Sequence, residues 1–460
     1  MNSPKINIED LFNLPGAVIY NPDTFSSSSV ISTDTRTIKK NSVFVAIKGK
    51  KFDGHKFVSE AVKKGASAVI VNKNRLKDFD NIDITIVAVK NTLQTYGDLG
   101  RIWRDKLNAK IVAITGSNGK TTTKEILAKL LEEKFSVAKT LANNNNNIGV
   151  PLTLFSTDNS KDVLVLELGT NHFGEIAFTS EVARPDYALI TNIGESHLEF
   201  LHDLEGVAGE KLALFDATSR NKGKIFVNTD DKLLKKKTKQ FDNIITFGFN
   251  GSPDIKGNIS GYAADGKTIL EIIYKNKSFK VVLPVYGLSN AKNFLAASAI
   301  ALVLGETPAQ IKKAAGNLKA VDKRLNVKTI DSYVLVDDTY NANPLSMRSA
   351  FEFLKSFNGK RKVAVLGDMF ELGKEAVVAH KALAADVKKN KIDEVYTIGK
   401  LMKNLHDDLD NGKVKNKHFN SRNSLKKFLE LENLENAVVL VKGSRGMKME
   451  EFVKIIEGKK

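Results

Sequence analysis

The chain has 460 residues, 42% of them hydrophobic and 27% charged, which at roughly 150 residues per domain predicts about three domains with real cores and excludes a disulfide-stapled miniprotein, a rod or wholesale disorder. It contains no Cys, so disulfides, Cys-ligated zinc, iron–sulfur clusters and a Cys nucleophile are removed by counting. The net charge of +17 is spread out apart from Lys235, Lys236 and Lys237, and reads as solvated helix faces, with no reader-helix or stacking-aromatic motif to bring in nucleic acid.

No stretch approaches the ~20 apolar residues of a membrane helix, and Met1 to Leu14 carries acids and no apolar run of the secretory kind. A soluble cytoplasmic protein without a membrane span is expected. The first hundred or so residues hold short strand-like runs at Ser42 to Ile47 and Ala68 to Val71 around a helix-like Phe57 to Lys64 closed by Gly65, a small α/β unit. At Lys110 the pattern changes. Lys110 to Thr115 reads as a buried strand, Gly116 to Thr121 as a glycine turn, and Thr122 to Glu133 as an amphipathic helix with Ile126, Leu127, Leu130 and Leu131 on one face.

Further strands at Val163 to Leu168, Tyr187 to Thr191 and Lys224 to Val227 predict a mostly parallel sheet. Asn250 to Tyr286 alternates apolar and polar residues with Gly at turns and predicts a small antiparallel sheet, before a helix from Asn290 to Leu304 capped by Gly305. From Val334 the alternation restarts, with strands at Val334 to Asp338, Lys362 to Asp368, Glu394 to Gly399 and Ala437 to Gly443, in a Rossmann-like order of elements. The expected architecture is α/β in three domains, residues 1–108, 109–322 and 323–460.

The sharpest chemical signal is Thr115-Gly116-Ser117-Asn118-Gly119-Lys120-Thr121-Thr122. Glycines let backbone amides turn toward phosphate oxygens, Lys120 reaches terminal phosphates, and the Thr121 hydroxyl suits Mg²⁺ at a helix N-terminus. The position five before Gly119 is Ile114 rather than the Gly of the general phosphate-loop pattern. Glu167 ends a strand at the edge where α/β sheets bind ligands, and its carboxylate suits a hard cation.

With this loop and the blocks that follow it, the chain resembles the Mur ligase family of ATP-dependent amide ligases. Those blocks are Asn145-Asn146-x-Ile148-Gly149-Val150-Pro151, Glu167-Leu168-Gly169-Thr170-Asn171-His172-x-Gly174-Glu175 and Asn192-Ile193-Gly194-x-x-His197-Leu198-Glu199. Later blocks resemble the dipeptide-adding branch: Asp337-Asp338-Thr339-Tyr340-Asn341-Ala342-Asn343-Pro344, Leu366-Gly367-Asp368-Met369-Phe370-Glu371 and Lys442-Gly443-Ser444-Arg445-Gly446-Met447. Near the N-terminus, Ser32, Asp34-Thr35-Arg36 and Phe52-Asp53-Gly54-His55 resemble that branch's uridine-nucleotide unit.

The resemblance implies a monomeric enzyme of peptidoglycan precursor synthesis that adds D-alanyl-D-alanine to UDP-N-acetylmuramoyl-tripeptide through an acyl phosphate, using ATP and Mg²⁺. It implies catalytic roles for Lys120, Glu167, His197 and Lys211, and metal roles for Thr121, Glu167, His197 and Lys211, the last as a CO₂-derived carbamate. Asn290, Asn293, Arg324 and Asp338 would meet ATP; Ser289 stands where the family carries His. Asn145, Asn146, Tyr340, Asn341, Asn343, Asp368, Glu371, Lys442, Ser444 and Arg445 would meet substrates. Rival readings are a sister ligase adding one amino acid, a folylpolyglutamate-type synthase, and a nucleotide-switched nucleic-acid binder that the basic charge permits.

Overall fold

The computed structural model describes residues 3–263, 267–409, 412 and 414–459, and builds them into three sheets. The first, of five strands, runs Val18–Tyr20, Thr85–Val89, Ala66–Asn72, Ser42–Val45, Ile31–Ser32, with only the Val18–Tyr20 edge antiparallel. Ala66–Asn72 is nearly all buried, as a parallel strand covered on both faces should be. Gly65 ahead of it takes φ +95°, the left-handed conformation that closes the preceding helix Val58–Lys63 at low cost.

The helix Thr92–Asp105 carries the chain onward. Asn91 caps it, accepting from the Leu93 and Gln94 amides, and its inner face buries Tyr96, Leu99 and Trp103 in a core shared by the first two sheets. The Trp103 indole N–H donates to the Thr157 carbonyl at 3.2 Å, so this large side chain loses no hydrogen bond on burial.

The second sheet has nine strands, in the order Lys277–Val282, Thr268–Tyr274, Ile255–Tyr262, Ile244–Gly248, Lys224–Asn228, Tyr187–Ile190, Lys110–Thr115, Val163–Glu167, Val137–Lys139. The expected antiparallel strands are present but extend the parallel sheet, joined to it by the short parallel pairing of Phe247 and Gly248 with Ile255 and Lys256; residues 264–266 of that stretch lie outside the described residues. Lys110–Thr115 sits between the two directions of winding, with Val163–Glu167 on one side and Tyr187–Ile190 on the other. A crevice opens at the carboxyl end of such a strand.

The third sheet runs Asn326–Ile330, Tyr333–Asp338, Ala437–Lys442, Arg361–Gly367, Glu394–Ile398, Lys415–Phe419, parallel except for its first strand. Asp338 and Lys442 are register partners at the ends of adjacent strands, so the two sequence blocks that follow them emerge side by side.

Among the described residues no helix is long and apolar enough to cross a membrane.

Candidate functional site

The carboxyl ends of the second and third sheets face each other across a cavity of about 560 Å³. Its floor is the loop between Lys110–Thr115 and the helix Lys120–Leu131. Gly116 (φ +146°) and Gly119 (φ +83°) are obligatory there: a Cβ on Gly116 would lie 1.9 Å from the Thr191 hydroxyl, and one on Gly119 2.3 Å from the Asn293 side-chain oxygen. Ser117 is tied to the neighbouring strand end, its hydroxyl exchanging hydrogen bonds with Gly194 at 2.9 Å.

The Lys120 ammonium folds back to donate to the Gly116 carbonyl at 2.7 Å. Burial pushes it below its ordinary value, with Glu167 opposing and Arg324 adding. Thr121 and Thr122 open the helix, and the Thr121 hydroxyl accepts from the Arg324 guanidinium at 3.0 Å. Glu167 is buried; one oxygen accepts from the Asn145 amide at 3.0 Å, and the other has no hydrogen-bond partner. Asn146 turns inward to cap Ile148 and Gly149. Asn290 is buried, donating to the Tyr286 carbonyl at 2.8 Å, and Asn293 stands over Gly119.

From the opposite side, Glu371 meets His197 at 2.6 Å, a contact that holds the Glu371 carboxyl below its usual range. Asp338 pairs with the buried Lys442 at 2.5 Å, and Lys442 also donates to the Asn341 carbonyl at 2.9 Å. The Ser444 hydroxyl accepts from the Phe370 amide at 2.8 Å. Tyr340, Asn341, Asn343 and Arg445 complete this wall.

Some expected site residues are elsewhere. Asp368 is buried and accepts from the Leu401 and Met402 amides at 3.1 and 2.7 Å, which ties it to its own sheet and away from the cavity lining. Lys211 does not line the cavity either; it is buried on the helix Leu204–Arg220, where burial first and then Lys120 push its ammonium down to about 7, Glu210 opposing. The N-terminal group is also outside it. There Asp34 grips Arg36 through both carboxylate oxygens and Ser32 bonds the Asp34 carbonyl. Thr35 is buried and Phe52 exposed. Gly54 leaves no room for a Cβ against Ile47. Both His55 nitrogens are engaged, Nδ1 with Asp53 at 2.7 Å and Nε2 by the Asn72 amide at 2.9 Å.

Two structurally important residues went unnoticed in sequence. Lys124, 1% exposed, donates to the Thr140 carbonyl at 2.7 Å and lies 3.7 Å from the Glu167 carboxylate. Its signal was a lysine on the face shared with Leu127 and Leu131. Glu210 accepts from the Thr170 hydroxyl and from the Gly174 and Ile176 amides, pinning the loop after Glu167; no spacing pattern marks it.

Lys120, Arg324 and Arg445 line the cavity without forming an ion pair with any described residue. Cations free of direct ion pairs with described residues, set around amide-lined glycines, suit a polyphosphate. The Thr121 hydroxyl and the Glu167 oxygen that accepts no hydrogen bond, 3.7 Å from the Lys124 ammonium, supply hard oxygens that fit Mg²⁺. Among the described residues no three His, Asp or Glu side chains converge as a metal cage, so an ion here would take its remaining oxygens from ligands. A second cavity of about 480 Å³ adjoins the first, sharing Thr122, Asn290 and Arg324.

Comparison with known proteins agrees along most of the chain. Residues 28–103 match the Mur ligase family catalytic domain, 114–301 the Mur ligase middle domain, and 323–445 the Mur ligase glutamate ligase domain. The UDP-N-acetylmuramoyl-tripeptide–D-alanyl-D-alanine ligase of Buchnera aphidicola subsp. Baizongia pistaciae is 36% identical, with 98% of this chain and 97% of that protein covered; the Escherichia coli K12 enzyme of the same name is 35% identical, with 93% of each covered. A crystal structure of MurF from Acinetobacter baumannii superposes with a TM-score of 0.88 at 29% identity over 100% of both chains. MurF ligase from Thermotoga maritima in complex with ADP gives 0.81 at 31% identity, covering 93% of this chain and 97% of that one.

Proposed function

The chain belongs to the Mur ligase family of ATP-dependent ligases, and we propose that it joins D-alanyl-D-alanine to UDP-N-acetylmuramoyl-tripeptide, giving the UDP-linked pentapeptide, ADP and phosphate. The observation that carries the reading is the cavity between the two larger sheets, where a glycine-rich phosphate loop and Lys120, Arg324 and Arg445, none in an ion pair with a described residue, surround one space.

Amide formation from a carboxylate and an amine is uphill in water, so the carboxylate must first be activated. In the proposed sequence the tripeptide's terminal carboxylate oxygen attacks the γ-phosphorus of ATP, the bond to the β-phosphate oxygen breaks, and ADP leaves. The dipeptide amine then attacks the acyl carbon, losing a proton, and phosphate departs. The first step brings two anions together, and Lys120 and Arg324 offset that repulsion where charge develops. The loop amides of Ser117 to Thr122 hold the phosphates in line, and Asn290 and Asn293 stand where the nucleoside would extend into the adjoining cavity. Thr121 and Glu167 would hold Mg²⁺ with His197 beside them; bound there, the ion supplies charge neutralisation to the phosphates.

Lys211 with an ammonium near 7 has at neutral pH the free amine that CO₂ requires, which supports its carbamylation as a further anion for a cation. Tyr340, Asn341, Asn343, Glu371, Lys442, Ser444 and Arg445 form the wall for the dipeptide and ATP. Ser32 to Arg36 and Phe52 to His55 form the uridine-nucleotide end. The domains of the proposal are residues 1–108, 109–322 and 323–460, in a cytoplasmic monomer; both walls of the cavity come from one chain, so the site needs no second copy.

Phosphate release from ATP tests this. Release that requires the muramoyl tripeptide and D-alanyl-D-alanine together supports the assignment; release with a shorter acceptor and one amino acid moves the protein to a sister step, and no release with any pair overturns the ligase assignment.

A further inference from the structure

Tyr340 lies just beyond the strand Tyr333–Asp338, half-buried in the cavity wall. Two guanidinium groups lie over its ring: the carbon of Arg324 is 3.9 Å from the ring centroid and that of Arg445 is 5.0 Å. They arrive from different parts of the chain, Arg324 from the segment joining the second and third sheets and Arg445 from the turn after Ala437–Lys442. Neither forms an ion pair with a described residue.

Two like charges on one ring repel; Glu450 acts electrostatically on Arg445, but among the described residues no carboxylate bridges the two arginines. The negative face of the phenol ring is the feature they share, and attraction to it offsets part of that repulsion. Arg324 at the same time donates to Thr121 in the phosphate loop, which directs it to the phosphate side. The backbone amide of Arg445 lies 3.4 Å from the Asn341 side-chain oxygen, which fastens its segment to the residue next to Tyr340.

We propose that Tyr340 is a positioning residue whose ring holds Arg324 toward the nucleotide phosphates and Arg445 toward the carboxylate of the incoming dipeptide, coupling the two anion sites. The assignment rests on the ligase reading above. It separates the ring, which aligns two cations, from the hydroxyl, which has no hydrogen-bond partner among the described residues.

The experiment compares Tyr340→Leu with Tyr340→Phe in the full chain, reading ADP affinity by calorimetry, and the dipeptide KM and kcat by phosphate release. Tyr340→Leu is expected to weaken ADP and raise the dipeptide KM by about tenfold each, with the larger change in KM than in kcat; Tyr340→Phe recovers most of both losses. Combined with Arg324→Lys or Arg445→Lys, the Leu variant costs less than the sum of the single changes. Equal losses in the Leu and Phe variants, no loss in the Leu variant, or full additivity with both arginine variants would each overturn the proposal. Absence of phosphate release from the wild-type chain would count against the ligase reading alone, because the ADP affinities still report on the Arg324 half of the clamp.

Discussion

Asn118 in the phosphate loop and Asn343 at the head of the helix Pro344–Lys355 exchange two amide hydrogen bonds, of 3.2 and 3.0 Å, across the joint between the second and third sheets. Each donates to the other, so the pair joins a loop that would carry phosphate to the sheet that would carry the amine donor. Arg348 and Glu195 add a salt bridge at 2.9 Å across the same joint.

Replacing Asn118 by Ala removes both bonds, a loss of about 1–3 kcal/mol from the joint. The nucleotide-free Asn118→Ala protein is expected to show a larger radius of gyration by solution scattering, and its phosphate release to fall about tenfold. An unchanged radius with an unchanged rate would show that the pair contributes nothing to holding the two halves together.

Gly119→Ala forces a non-glycine residue to φ +83° and sets a Cβ 2.3 Å from the Asn293 oxygen. Backbone strain of this kind costs about 1–3 kcal/mol. The variant is expected to melt earlier and to bind ADP more weakly. Adding Asn293→Ala relieves the contact and leaves the backbone strain, so the double variant regains only part of the lost stability in a thermal melt.

Asp338 and Lys442 form a pair at 2.5 Å with Lys442 only 2% exposed. Asp338→Ala leaves a buried cation with, among the described residues, the Asn341 carbonyl as its remaining partner, and is expected to cost roughly 3–5 kcal/mol in urea unfolding. Asp338→Ala with Lys442→Met removes the stranded charge and is expected to recover much of that loss; a double variant as unstable as the single one would locate the cost elsewhere.

Lys211 gives a pH signature. Its ammonium is held near 7 in the folded chain against an ordinary 10.5, so between those values the unfolded chain binds more protons. Stability contributed by this group therefore rises with pH from about 7 toward 10.5, by at most about 1.4 kcal/mol per pH unit, and the penalty of the charged form is full below 7. Melting of the wild type and Lys211→Met in CO₂-free buffer from pH 7 to 9.5 is expected to show a steeper rise for the wild type. Parallel curves would contradict it.

Where sequence succeeded, local chemistry was self-sufficient. The strand Lys110–Thr115 and the glycines after it announce themselves because a run buried on both faces and two positive-φ turns leave few alternatives. The helix begins at Lys120, two residues before the expected Thr122, because the turn formed by Gly119 already feeds it. Strands at sheet edges were silent: Val137–Lys139 is three half-buried residues, and Lys415–Phe419 is rich in charge, as an edge that must resist pairing should be. The site divided the same way. The phosphate loop was legible, whereas His197 with Glu371 and Arg324 with Thr121 are partners 174 and 203 residues apart that no local pattern connects. Asp368, in a block expected to meet substrate, accepts from the Leu401 and Met402 amides beside its own sheet, a partnership its block does not announce.

Because the cavity's walls come from two sheets joined by a few side-chain bridges, its shape depends on how those halves are seated as much as on the residues that line it. A small molecule lodged at that seam, against Asn118 or Arg348, would act as a wedge. It would stop turnover without resembling nucleotide, sugar or peptide, and substrate would relieve it only by driving the halves together.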